Sequence, residues 1–136
     1  MKTRQVGPIN QVWDPLRGRW LTLTPEEQVR QNFIEFLIAQ GINPHHIAQE
    51  QTLQIGSITR RADIVVYSGA RAVMIVECKA WNVPLSGAVF EQASQYNITL
   101  GVPYLVITNG KSTFCAKIDP TAKSYTFLKE FPHLVE

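Results

Sequence analysis

The sequence has few cysteines, no apolar run of membrane length, no low-complexity tract and no strong excess of charge of one sign. Cys78 and Cys115 are its two cysteines, and they lie far apart without CxxC spacing. Because the sequence also lacks a charged-then-apolar leader, we expect a cytoplasmic protein in a reducing environment and no membrane partner. The formal net charge of +2 excludes a protein that binds nucleic acid mainly by charge, although it permits contact with a polyanion.

The composition is that of a globular domain. The 136 residues are 45% hydrophobic and 18% charged, which is enough apolar material for one core and too little chain for a second core of similar size. We therefore predict a single domain over residues 1–136, with residues 1–23 forming an irregular arm or a small hairpin that packs on it. Within the arm, we expect Trp13 and Trp20 to pack against the body rather than stack on nucleic-acid bases.

Local signals predict two helices and five strands in the rest of the chain. The first helix is predicted to start after Thr24 as N-cap, with Pro25 at its first position, and to end before Gly41, which follows the last apolar residue. Three extended segments follow over residues 49–80, then a second helix over residues 85–100 and a hairpin around Asn109 and Gly110. The order α-β-β-β-α-β-β predicts an α/β fold in which a mixed β-sheet is flanked by helices, with a crossover through the second helix.

Charged side chains interrupt the apolar strand that ends in VECKA. Glu77 and Lys79 share one face of that strand, and pairing about residue 70 would bring Asp63 of the preceding strand opposite Glu77. Two adjacent carboxylates repel each other, so we expect a divalent cation between them, and hard oxygen ligands suit Mg²⁺ or Mn²⁺. Two alternatives stay open: Glu77 pairs with Lys79 at the rim of the sheet, or Arg60, Arg61 or Lys79 neutralises both acids as a structural network.

Polar residues also fall on the apolar faces of both predicted helices. Stepping 100° per residue places Glu26 on the buried stripe of the first helix, so we assign Glu26 to the site. Glu27 lies three residues after Thr24, as in a capping box, and the reverse assignment of the two glutamates stays open. In the second helix Gln92 interrupts a stripe that includes Tyr96, where it either bonds the sheet backbone or the Tyr96 hydroxyl, or helps to hold the site.

These segments, taken in order, resemble one nuclease family. The segments are DPLRGRWLTLTPEEQVRQNFIEFLIAQG, RRADIVVYSG, VMIVECKA, EQASQY and YLVITNGKSTFC. Together they are similar to the PD-(D/E)XK nuclease superfamily, and specifically to the N-terminal nuclease domain of type I restriction enzyme R (HsdR) subunits. The resemblance implies a restriction-endonuclease-like core. Ala62 stands where the superfamily name has proline, a frequent variation.

The resemblance also implies roles for site residues. Asp63, Glu77 and the backbone carbonyl of Cys78 would hold Mg²⁺ or Mn²⁺ against the scissile phosphate, and Lys79 would orient the attacking water and stabilise developing charge. Glu26 matches the acid of the first helix, either as a ligand or through a bound water, with Glu27 as its alternate.

A QxxxY element adds two further residues to the implied site. Gln92 and Tyr96 match this element of the RecB-like branch of the superfamily. The implied activity is metal-dependent hydrolysis of DNA phosphodiester bonds in restriction or defence.

No GxxxxGK[ST] motif is present in the sequence. We therefore expect no ATPase motor of its own, and DNA together with a separate motor or specificity protein as partners. The domain's size and modest charge favour a homodimer as a further way to gain affinity. The alternative function is a non-catalytic nucleic-acid-binding or interaction module that retains the nuclease fold.

Overall fold

A computed structural model shows two β-sheets, two α-helices and one short 3₁₀ helix (Pro44–His46) in the part of the chain that it describes. It describes residues 1–119 and 121–134, apart from the side chains of Ile55, Ile58, Gln95, Tyr96 and Thr99. The elements in chain order are β1 (Thr3–Val6), β2 (Ile9–Asp14), β3 (Arg19–Thr22), α1 (Pro25–Ala39), β4 (Ile47–Ile55), β5 (Ile58–Ser68), β6 (Arg71–Cys78), α2 (Gly87–Leu100), β7 (Tyr104–Thr108), β8 (Thr113–Asp119) and β9 (Ser124–Phe127). The predicted mixed α/β architecture is confirmed.

The larger sheet contains six strands in the order β4-β5-β6-β7-β8-β9. All neighbours pair antiparallel except β6 and β7, which are parallel because α2 carries the chain across the sheet between them. The predicted meander, crossover and hairpin are therefore present. Sequence analysis missed β9, a strand of four residues whose side chains are mostly exposed, because it lacks an alternating apolar pattern.

The first 23 residues form more than the predicted arm or small hairpin. β1, β2 and β3 form a separate antiparallel sheet in the order β1-β2-β3. Val12 and Asp14 on one face of this sheet are fully buried. The polar, mixed composition of these short strands gave no clear alternation from which to predict them.

Apolar side chains from alternate strand positions fill both faces of the larger sheet. One buried cluster combines Val29, Phe33, Ile34 and Leu37 of α1 with sheet residues that include Ile64, Met74 and Val76. The other combines Phe90, Ala93 and Leu100 of α2 with sheet residues that include Val65, Ile75 and Leu105. Each large side chain that is fully buried in this way contributes about 1.5–3 kcal/mol. The sheet therefore lies between the two helices.

The first helix begins where the sequence predicts and buries Val29, Phe33 and Leu37, but its glutamates are placed differently from the prediction. The hydroxyl of Thr24 accepts the Glu27 N–H at 3.0 Å, as expected of an N-cap. Glu27 is buried, whereas Glu26 and Phe36 are exposed, so placing Glu26 on the buried stripe was wrong. The reason is that Glu27 bonds Gln31 of its own helix, and Gln31 in turn bonds Gln49 of β4, which a search for apolar periodicity does not anticipate.

The second helix starts at Gly87 with Ser86 as N-cap, two residues later than predicted. Its buried side chains include Phe90, Ala93 and Asn97, and Gln92 is exposed, so the predicted stripe through Gln92 was wrong. The ring of Phe90 lies 4.7 Å from that of Phe127, so α2 packs against β9. The Tyr96 side chain lies outside the described residues. No helix in the described part of the chain is long and apolar enough to cross a membrane.

Candidate functional site

The fold brings Asp63 of β5 next to the end of β6. The ladder between the two strands pairs Val66 with Met74 and ends at Ile64 and Val76, so Asp63 and Glu77 are the next residues along their strands rather than a paired position. The turn that connects β5 to β6 is centred half a residue from the predicted position. A register shift between Val66 and the next residue corrects this offset, so the strand pairing farther from the turn follows the predicted register. The Asp63 carboxylate accepts the backbone N–H of Cys78 at 2.7 Å, which fixes it at the end of β6.

Glu77 and Lys79 line the same cleft, as their shared strand face predicts. This cleft of about 250 Å³ lies beneath α2 and is also lined by Arg60 and Gln92. The backbone N–H of Lys79 donates to the carbonyl of Thr108 at 2.8 Å, which holds the end of β6 against β7. The exposed position of Gln92 therefore brings it to the predicted site rather than into the core.

Asp63 lines a different cleft, of about 420 Å³, beneath the start of α1. Its walls carry both Glu26 and Glu27, together with Thr24, Arg30, Glu50 and Arg61. The predicted acids are thus divided between two clefts, one with Asp63 and Glu26 and one with Glu77. The two clefts are linked through Asp63, in the middle of β5, whose carboxylate accepts the backbone N–H of the residue that follows Glu77 at the end of β6.

An arginine neutralises Glu77. The guanidinium of Arg60 forms an ion pair with the Glu77 carboxylate, and both side chains are largely buried at 14% and 16% exposed. This is the ion pair that the sequence left open as an alternative to a bound cation. Because the pair is shielded from water, the attraction between its two charges is stronger than at an exposed site.

Glu27 has a different role from the capping one assigned to it. Its carboxylate accepts hydrogen bonds from Arg30 and from the Gln31 amide, while the Thr24 N–H donates to the carbonyl of Thr22. The Thr24 hydroxyl still caps the helix. Burial opposes ionisation of Glu27, but the hydrogen bonds from Arg30 and Gln31 and the charge of Arg30 outweigh it and hold the pKa of Glu27 below its ordinary value.

A buried chain of hydrogen bonds runs from the N-terminal sheet to Glu27 in the cleft that Asp63 lines. The Gln49 amide donates to both carboxylate oxygens of Asp14 at 3.0 Å and accepts from Gln31 at 3.0 Å, and Gln31 in turn donates to Glu27. Sequence analysis missed Asp14, Gln31 and Gln49. The DPLRG turn gave the one local signal, because an aspartate at the start of a turn often accepts backbone N–H groups.

Glu50 is a second residue that the sequence did not indicate. It ion-pairs with Arg30 at 2.7 Å, Arg61 at 2.5 Å and Arg17 at 3.8 Å. Its φ of 51° is unusual for a residue with a side chain, and the β4–β5 pairing passes from Gln49 to Gln51 without it. Burial opposes its ionisation, but the charges of Arg30 and Arg17 and the Arg61 hydrogen bond lower the pKa of Glu50.

These two lowered pKa values predict a loss of stability in acid. A carboxyl whose pKa is lower in the folded protein contributes stability that is fully present above its unfolded pKa and lost as pH falls through the folded pKa. We therefore expect the free energy of unfolding to fall as pH drops below about 4.3, the ordinary glutamate pKa. Urea unfolding of wild type and the Glu27→Gln/Glu50→Gln double variant would measure this, with exposed Glu91→Gln as control. An equally steep loss in the double variant would contradict it.

The carboxylates of the predicted site are chemically suited to a hard divalent cation, but in this structure they are not arranged around one coordination position. Among the described residues, no group of three or more His, Cys, Asp or Glu side chains is arranged to hold a metal ion. Burial, reinforced by the charge of Asp63, raises the pKa of the Cys78 thiol, so its sulfur stays protonated and its backbone carbonyl is the group suited to a hard cation. A metal bound by Asp63 and Glu77 together would have to displace Arg60 from Glu77.

Comparison with known proteins supports the restriction-enzyme relationship. The family model of the type I restriction enzyme R protein N terminus (HSDR_N) matches residues 25–132. No curated protein and no solved structure gives a significant match. The match spans α1 through β9 and both clefts, and leaves β1 to β3 outside it. The chain therefore belongs to the family of type I restriction enzyme R protein N termini and is a restriction-enzyme-related module.

Proposed function

We propose that the protein is a metal-dependent nuclease that hydrolyses DNA phosphodiester bonds, of the restriction and defence type. One observation carries the proposal: Glu77 and Lys79 share a cleft, and Asp63 on the adjacent strand is bonded to the residue between them. A carboxylate on one strand, with a carboxylate and a lysine two residues apart near the end of the neighbouring strand, agrees with the resemblance to PD-(D/E)XK nucleases. We further propose a cytoplasmic location, and a separate motor or specificity protein as partner.

The proposed site uses groups from both clefts. Asp63, Glu77 and the carbonyl of Cys78 would hold Mg²⁺ or Mn²⁺, with Glu26 as an outer ligand. The bound metal would polarise the phosphate and lower the pKa of a coordinated water. Lys79 would orient that water and stabilise charge on the phosphate, and Gln92 and Tyr96 would hold the substrate strand.

Arg60 gives the site two states. In the structure its guanidinium neutralises Glu77, which stabilises the protein without metal. DNA would offer the same guanidinium a phosphate, a partner that it binds equally well. We propose that Arg60 moves from Glu77 to the DNA backbone as the metal binds, so that metal and DNA bind cooperatively.

The same ion pair supports the alternative function. If Arg60 keeps Glu77 neutralised in the presence of DNA, the carboxylates cannot hold a cation together. The protein would then be a non-catalytic nucleic-acid-binding or interaction module. Metal binding in the presence of DNA separates the two functions.

The test is calorimetric titration with Mn²⁺ and Mg²⁺, with and without DNA, followed by plasmid nicking. We expect wild type to bind metal more tightly with DNA present and to nick plasmid only with metal. Asp63→Asn and Glu77→Gln should lose both properties. Glu91→Gln, an exposed substitution in α2, should retain them and serves as the matched control. Absence of metal binding by wild type in the presence of DNA would reject the nuclease in favour of the binding module.

A further inference from the structure

The N-terminal sheet presents an aromatic and cationic surface on the face opposite its buried side. Val12 and Asp14 are fully buried on one face of β2. Because side chains alternate along a strand, the side chain of Trp13 is on the other face. Trp20 pairs with Trp13 across β2 and β3 and shares its face. We call this surface the tryptophan face; it consists of Lys2, Arg4, Gln11, Trp13 and Trp20. The expectation that the two tryptophans pack the arm on the body was therefore wrong.

The side chains of the tryptophan face contact one another, and its two indole rings meet edge to face. The rings of Trp13 and Trp20 are 5.3 Å apart, and the Arg4 guanidinium lies 4.2 Å from the Trp20 ring. Gln11 accepts a hydrogen bond from Arg4 Nε at 2.7 Å, which fixes the guanidinium over the ring. Lys2 lies 5.2 Å from Trp13 and 5.4 Å from Trp20. Both indoles are partly exposed.

The charge of this part of the chain is one-sided. Residues 1–25 contain four cationic side chains, Lys2, Arg4, Arg17 and Arg19, and a single acid, Asp14. Asp14 is fully buried on the opposite face, where it binds Gln49. The tryptophan face therefore offers two cations and two aromatic rings without an acid of its own sheet to neutralise them.

We propose that the tryptophan face binds single-stranded nucleic acid. Bases would stack on the Arg4 guanidinium plane, which lies over the Trp20 ring, and on the exposed part of the Trp13 indole, and Lys2 would contact phosphates. A single strand fits better than a duplex, since duplex bases are stacked on each other and cannot reach the rings. An acidic peptide would satisfy the cations but not the rings, and a second copy of the chain would bring like charges together.

This inference is independent of the nuclease proposal. The tryptophan face lies before residue 25, outside the part of the chain that the family model matches. Binding there requires no metal, so it can be measured in the presence of EDTA, where cleavage does not occur. Failure of either proposal leaves the other unaffected.

The test is fluorescence anisotropy of labelled oligothymidylate about 20 nucleotides long with the full chain in EDTA. We expect Arg4→Ala and Trp20→Leu each to weaken binding about tenfold. Arg19→Ala is the matched control, because Arg19 is an exposed cation of the same sheet whose register partner is Asp14 on the opposite face. It should change binding less than about twofold. Thermal melts would verify folding, and Arg4→Ala, at an exposed strand position, keeps the test valid if Trp20→Leu unfolds.

Four outcomes would overturn the proposal. The first is that wild type does not bind oligothymidylate, and the second is that Arg19→Ala weakens oligothymidylate binding as much as Arg4→Ala does. The third is that a matched duplex binds as tightly as the single strand. The fourth is that an acidic peptide displaces the oligothymidylate in a way that depends on Trp20. Concentration-dependent self-association that Trp20→Leu abolishes, without oligonucleotide binding, would instead identify a contact between copies of the chain.

Discussion

Replacing Lys79 by methionine is expected to leave metal binding unchanged and to reduce DNA cleavage about 10²- to 10³-fold. Lys79 lines the Glu77 cleft and is partly buried, and on the proposed function its ammonium acts on the attacking water rather than on the metal. Methionine retains most of the length of the side chain, and the Lys79 backbone bond to Thr108 does not depend on the side chain. Calorimetry and a plasmid-nicking time course would measure the two effects separately.

Lys117→Met is the control for this experiment. Lys117 is an exposed cation of β8, so its removal changes the net charge equally while leaving the cleft intact. Unchanged nicking in Lys79→Met would show that Lys79 has no part in the chemistry. Loss of metal binding along with cleavage would show that Lys79 supports the carboxylates instead, as in the pairing with Glu77 that the sequence left open.

Truncation of Asp14 to alanine is expected to lower the free energy of unfolding by about 3 kcal/mol or more. Its carboxylate is fully buried and accepts the Gln49 amide at both oxygens, together with the N–H groups of Leu16 and Arg17 at 3.0 and 3.1 Å. Removing it leaves these buried donors without their acceptor and breaks the link between the two sheets. Urea unfolding followed by circular dichroism would measure the change.

Asp119→Ala provides a closely matched control. Asp119 also accepts two backbone N–H groups, from Thr121 and Ala122, at 3.0 and 3.1 Å, but it is exposed. Water replaces a carboxylate at an exposed turn, so we expect a loss below about 1 kcal/mol. Equal losses in the two variants would show that the turn bonds, rather than the buried contact with Gln49, account for the effect of Asp14.

The N-terminal sheet and the nuclease-like clefts are physically connected through Asp14. The chain of hydrogen bonds from Asp14 through Gln49 and Gln31 ends at Glu27, in the cleft that Asp63 lines. The two parts of the molecule are therefore linked by buried polar contacts.

The sequence by itself determined the elements whose signals are local. Thr24 and Pro25 define the start of α1 because the capping hydroxyl and the restricted proline φ act within one turn. The alternation in VECKA determined that Glu77 and Lys79 share a cleft, because side-chain direction in a strand has a period of two. The strand spacing predicted Asp63 opposite Glu77, whereas in the structure the two side chains line different clefts.

Only the tertiary structure decided which helix face is buried and which charges are paired. Adjacent helix positions lie 100° apart, and Glu27 rather than Glu26 lies on the buried face because Gln31, which itself bonds Gln49 of β4, satisfies its carboxylate there. The partner of Asp14 lies 35 positions away in the chain, and that of Glu77 is an arginine of the neighbouring strand. Such pairings depend on distances between elements, which no local pattern encodes.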